Sequence, residues 1–227
     1  MNTTETKLLH DLTTLRTRLL VMCAAVGIAL DKASAILVEG QDRTKEMRDG
    51  DAAINTLEME IDELALTILA CNQPVAQDLR FVVAALRMVL DLERIGDEAV
   101  DIAERAMLLH AELPASGMVI VHSLMDMSIS LYSRAVECFR DYNAEKAMDL
   151  CRESEDSGRR EILAVQNMVD FLCCREDLRE NWEPYAGLQG LLTCRALNRV
   201  CRRTVNIAEQ TFFIVRGENI KHISLKP

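Results

Sequence analysis

The residues of this chain best placed to do chemistry are carboxylates. Glu93, Asp97 and Asp101 recur at four-residue intervals, and Asp51, Asn55, Glu58 and Asp62 repeat at three to four residues earlier in the chain. On a helix turning about 100° per residue, Asp97 lies about 40° and Asp101 about 80° from Glu93, in a sector shared with Leu86, Val89, Leu90 and Val100. Asn55, Glu58 and Asp62 likewise fall within about 40° of Asp51, among Ala65, Leu66 and Leu69. Each helix thus carries a row of oxygen donors beside its apolar face. Carboxylates pressed together near a core repel and are costly to desolvate, so a cation there must neutralise them. Such donors suit Mg, Ca, Mn or iron, with zinc a further fit. The same spacing also suits a solvated edge, or one paired with Arg from another helix, and periodicity alone does not choose. Arg87, Asp91, Arg94, Glu98 and Arg105 gather in a separate sector that reads as the solvated face of their helix.

Catalytic signatures do not accompany these carboxylates. The four His residues, 10, 110, 122 and 222, follow Lys7, Met107, Val119 and Asn219 by three positions, so the Glu-x-x-His of di-iron bundle enzymes is missing. No His-Glu-x-x-His, P-loop or Gly-x-Ser-x-Gly occurs. No residue is assigned a catalytic role, and the chain reads as a non-enzyme.

The elements that must position the carboxylates follow from composition and breakers. The chain has 227 residues, 49% hydrophobic but only 4% aromatic, with 9 Gly and 4 Pro, a mixture that favours helices over strand-and-turn folds. Breakers at Gly40, Pro74, Pro114 to Gly117, Asp141 to Asn143 and Asn181 to Pro184 predict six helices, over about 5–38, 44–72, 75–111, 117–140, 144–174 and 184–217. A net charge of -10 argues against nucleic acid. No run of about 18 apolar residues is evident and the N-terminus is polar, so neither a spanning helix nor a signal peptide is expected and the location reads as cytoplasmic. The eight Cys, without a Cys-x-x-Cys pair, read as reduced, packed thiols.

A shift of 105 residues lays Leu86, Leu92, Arg94, Val100, Ile102, Ala103 and Glu104 on the identical Leu191, Leu197, Arg199, Val205, Ile207, Ala208 and Glu209. The expected fold is therefore all-α, two tandem antiparallel three-helix bundles related by a pseudo-two-fold, with repeats over 1–114 and 115–227.

Pro74-Val75-Ala76-Gln77-Asp78-Leu79-Arg80, followed by Leu92 to Ala99 and Asp101-Ile102-Ala103-Glu104, closely resembles the PhoU family of bacterial phosphate-signalling proteins. Asn206-Ile207-Ala208-Glu209 and Gly217-Glu218-Asn219-Ile220 resemble that family's closing motif. The resemblance implies a cytoplasmic negative regulator of phosphate uptake, an adaptor between the phosphate ABC transporter ATPase and a sensor histidine kinase. It also implies a homodimer that reaches the membrane only through partners. Some members carry iron or zinc clusters on repeated Glu/Asp-x-x-x-Asp motifs; carried over, the ligands are Asp51, Asn55, Glu93, Asp97 and Asp101. The second half departs from the pattern, with Asn198 and Arg202 at the ligand positions and Asn206 at that of Asp101. Positions 89–105 carry two Arg and six acids, whereas 194–210 carry four Arg and one Glu. The metal is therefore expected in the first repeat only. Arg195, Arg199, Arg202 and Arg203 form either an anion or partner contact or a solvated, ion-paired set. Two other readings stay open: a carboxylate-bridged helical-bundle enzyme, and a PhoU-like scaffold unrelated to phosphate.

Overall fold

The computed structural model describes residues 3–173 and 184–220. They form α1 (Thr3–Glu39), α2 (Thr44–Asn72), α3 (Ala76–Glu112), α4 (Ala115–Asp141), α5 (Ala144–Cys173) and α6 (Pro184–Arg216). Three of the helices, α1, α2 and α4, stop for a visible local reason. After α1, Gly40 takes φ +66°, and a Cβ there would stand 2.3 Å from His110 Cδ2, so only glycine fits. α2 ends on left-handed Gln73, just before Pro74, and α4 ends on left-handed Tyr142, whose N–H donates to the carbonyls of Cys138 and Phe139.

Helices α1, α2 and α3 pack on one another, as do α4, α5 and α6, and the two groups meet through α3 on α6 and α1 on α4. Both contacts are antiparallel. Arg87 meets Gln210, Asp91 meets Asn206 and Glu98 meets Arg199, a register centred on Gly96 and Cys201, which are mates under the 105-residue shift. Along α1 and α4, Arg16 donates to the Arg140 carbonyl at 2.7 Å and Tyr132 to the Cys23 carbonyl at 2.7 Å. Two copies of a three-helix unit facing each other across a two-fold produce this pairing. The core is one continuous cluster that runs through both groups, from Leu15 and Met22 through Ile54, Met88 and Ile95 to Phe139, Leu197 and Ile214. Polar residues inside it are few, and Ser128 and Thr211 hide their hydroxyls on the carbonyls of Leu124 and Ile207, one turn back.

Two expectations need correction. Thr6–Glu39 does contain an 18-residue window apolar enough to cross a membrane by length and composition, holding at most two charged residues. Its Leu15, Leu19, Met22, Val26, Leu30 and Leu37 are core residues, and 44% of the window is buried. The apolar run was hidden from a reading by periodicity because Arg, Asp and Lys punctuate its ends. Nor are all the thiols packed: Cys71 and Cys173 are exposed, while Cys23, Cys138, Cys151, Cys194 and Cys201 are buried. Cys174 lies outside the described residues.

Candidate functional site

The two carboxylate rows meet where α2 packs on α3. Gly96 of α3 is buried there, and a Cβ on it would stand 3.1 Å from Ile54 Cδ1 and 3.8 Å from Asp51 Oδ1. The missing side chain lets α2 press against α3 and brings Asp51 up to the turn that carries Glu93 and Asp97. Asn55 Nδ2 donates to Asp51 Oδ2 at 3.3 Å. The other oxygens of both residues, Asp51 Oδ1 and Asn55 Oδ1, are buried and accept no hydrogen bond in the structure.

The electrostatics reflect this crowding. Burial pushes the Asp51 carboxyl above the ordinary carboxylate range; Asp97 adds repulsion, and the Asn55 amide partly opposes it. Glu93 is raised by burial, then by the charges of Asp97 and Glu58 and by its hydrogen bond with Asp97, with Arg94 opposing. Asp62, further along α2, is raised by burial alone. The structure thus brings Asp51, Asn55, Glu93 and Asp97 together and adds Glu58, which the helical spacing had placed on the same stripe. Asp101 is engaged elsewhere, its Oδ2 accepting from Arg105 Nη2 at 3.0 Å.

This donor set fits a hard divalent cation in kind: every donor is an oxygen, two of them are buried acceptors without donors, and the local charge is negative. Among the described residues, however, no three His, Cys, Asp or Glu side chains stand close enough together to hold a metal ion as they are. The arrangement is an Asp–Asn pair on α2 facing a Glu–Asp pair on α3. Side-chain rotation is needed to draw both pairs onto one ion, and water must complete its shell.

Of the α3 sector expected to be solvated, Arg87 and Arg94 are exposed, but Asp91 and Glu98 are covered by α6. Arg199 forks onto Glu98, Nε on Oε1 and Nη2 on Oε2 at 2.6 Å, and the Glu98 side chain is only 12% exposed. Arg203 Nη1 donates to Asp91 Oδ1 at 3.3 Å and Asn206 Nδ2 donates to the same oxygen at 3.2 Å, with Asp91 15% exposed. Arg87 reaches Gln210 and lies over the Phe213 ring, its carbon 5.9 Å from the centroid. Paired charges can be buried where single ones cannot, and a wheel drawn for one helix does not contain the partner. Arg94 remains exposed.

Of the arginines singled out on α6, Arg199 and Arg203 are therefore ion-paired within the chain. Arg195 is exposed and pairs with no acid among the described residues, and Arg202 is exposed and has an interaction partner. Asn198 Oδ1 is buried without a donor. Asp156 and Arg160, the second-repeat echoes of Asp51 and Asn55, have side chains outside the described residues.

The signature segments also meet in space. Arg80 Nε donates to the Ile214 carbonyl at 3.4 Å, and its guanidinium lies 3.4 Å from where a Cβ on Gly217 would stand; Gly217 takes φ +78°. The Pro74 to Arg80 motif at the start of α3 therefore closes the end of α6, where carbonyls lack partners and a cation opposes the helix dipole.

Comparison with known proteins agrees with these motifs. The family model for the PhoU domain matches residues 19–106. A Pseudomonas putida protein named phosphate-specific transport system accessory protein PhoU homolog is 32% identical over 219 residues, covering 95% of this chain and 83% of that protein. The Escherichia coli (strain K12) phosphate-specific transport system accessory protein PhoU is 28% identical over 94% of this chain and 87% of its own length. The crystal structure of PhoU from Pseudomonas aeruginosa superposes with a TM-score of 0.84 at 31% identity, covering 92% of this chain and 99% of that one. With matches of this extent in both sequence and fold, the chain belongs to the PhoU family.

Proposed function

We propose that this chain is an accessory regulator of phosphate uptake that restrains the phosphate-starvation response by linking the phosphate ABC transporter ATPase to a sensor histidine kinase. The observation that carries the reading is the near full-length likeness to the Pseudomonas putida protein named as an accessory of a phosphate-specific transport system. In this reading the chain acts by contact rather than catalysis, with its two three-helix repeats, divided between residues 114 and 115, offering long helical faces to both partners. It works as a homodimer on the cytoplasmic side and reaches the membrane through the transporter. Its net charge of -10 fits protein partners rather than nucleic acid.

A divalent cation, iron or zinc among the choices the donor set allows, binds the first repeat through Asp51, Asn55, Glu93 and Asp97. The ion supplies positive charge that offsets the mutual repulsion of these groups. Gly96 holds α2 and α3 close enough for both helices to contribute, and Asn55 fixes the orientation of Asp51. Asp101, whose Oδ2 is held by Arg105, stands outside this set.

A deletion strain tests the regulatory reading. Constitutive expression of phosphate-starvation genes in high phosphate is expected, and normal repression would overturn it. Tagged full-length protein should also retain the transporter ATPase and the kinase on a pull-down; retention of the ATPase without the kinase would remove the kinase from the scheme.

A further inference from the structure

We infer that the second repeat has exchanged cation ligation for an arginine clamp, in which Arg199 and Arg203 of α6 hold the two repeats together through Glu98 and Asp91 of α3. The inference rests in part on the cation reading of the first repeat.

The repeat symmetry supports the argument. Under the 105-residue shift the mates of Glu93, Asp97 and Asp101 are Asn198, Arg202 and Asn206. A guanidinium has only donors and cannot ligate a cation. Asn206 turns its amide nitrogen to Asp91, and Asn198 keeps a buried acceptor oxygen, so the positions that mate with the three carboxylates offer only neutral amide oxygens and a guanidinium. Neutral amide oxygens supply no charge to offset a cation's desolvation, and the positive guanidinium beside them repels it.

The same symmetry shows what the arginines do instead. The mate of the pair Glu98 to Arg199 is Arg203 to Arg94, because 98 maps to 203 and 94 to 199. An acid at 203 would have completed a second, symmetric ion pair. The arginine there cannot pair with Arg94, which stays exposed, and it reaches back along α3 to Asp91. Between positions 91 and 104 the six acids of α3 sort by direction: Glu93 and Asp97 belong with α2, as does Glu104 through Arg48, Asp91 and Glu98 belong with α6, and Asp101 with its own Arg105. The α6 arginines neutralise the two acids that the inter-repeat contact buries. They are spoken for by carboxylates of the same chain, which removes Arg199 and Arg203 from any anion site.

Two measurements on the full-length protein test this. In double-mutant cycles of Glu98→Gln with Arg199→Gln, and of Asp91→Asn with Arg203→Gln, the paired variants should unfold with an equilibrium constant at least fivefold more favourable to the native state than the product of the single effects allows. Additive effects in both cycles would overturn the clamp. Mn²⁺ titration by calorimetry, with elemental analysis of the purified protein, addresses the cation. Metal should be lost in Glu93→Gln/Asp97→Asn and kept in Asn198→Ala, whereas metal kept in the first variant and lost in the second would overturn the exchange. A wild-type protein that takes no metal would refute the cation reading of the first repeat while agreeing with a second repeat that ligates none.

Discussion

Single carboxyl groups in this protein differ by which neighbour answers their charge. Asp51 and Glu93 are held above the ordinary range by burial and then by the charge of Asp97, so the folded chain keeps their protons to higher pH than the unfolded chain does. The sign follows from linkage: these groups favour the native state at low pH, and that contribution is lost as pH rises from the unfolded value of about 4 through the raised folded values. In chelator at pH 7, Asp51→Asn and Glu93→Gln should therefore each raise Tm, and both should melt with less dependence on pH between 4 and 7. A lower Tm for both in thermal melts would contradict the repulsive site. Thiols sort in the same way. Burial pushes Cys23, Cys151 and Cys194 up to about 12, and Cys71 lies exposed. Peptide mapping after brief maleimide treatment should find Cys71 and Cys173 labelled in the native protein and Cys23, Cys151 and Cys194 only after denaturation.

Helices are the scale at which glycine positions separate local propensity from packing. Gly50 sits within α2 with nothing within 4 Å of an added Cβ, so Gly50→Ala should stabilise by about 0.5–1 kcal/mol through the unfolded chain. Gly96 lies in α3 against Ile54, where a branched side chain has no room. Gly96→Val should destabilise by roughly 1–3 kcal/mol and, by spreading α2 from α3, weaken cation binding. Denaturant titrations of the two variants check both, and equal effects would mean that helix propensity alone matters. Gly96 also shows what periodicity leaves unread. The stripe Glu93, Asp97 was legible from spacing, as was the row on α2, but the glycine between the two acids reads as a weak point of a helix until α2 is seen resting on it. Helix ends were more readable, because Gly40, Pro74 and Pro114 act within a few residues of themselves.

Across the whole molecule, the continuous core and the two antiparallel contacts join the repeats into one unit. Calorimetry of the intact chain should show a single cooperative transition, and two resolved transitions would mean that each repeat folds independently of the α3 and α6 contact. The sequence alone determined the six helices, because apolar spacing and chain breakers are local properties. It also determined the duplication, because identities at a constant offset need no coordinates, and the family, because its motifs are contiguous. The tertiary structure decided which charges meet. Asp91 and Glu98 look like solvent-facing residues on their own helix, yet α6 covers them and supplies Arg203 and Arg199 from more than a hundred positions away. α1 is apolar enough for a membrane, yet the described fold sets its inner stripe against α2, α3 and α4. In both cases the outcome depends on what lies opposite a helix face, and burial of a charge or of an apolar stripe is a property of the pair, which one helix's periodicity does not contain.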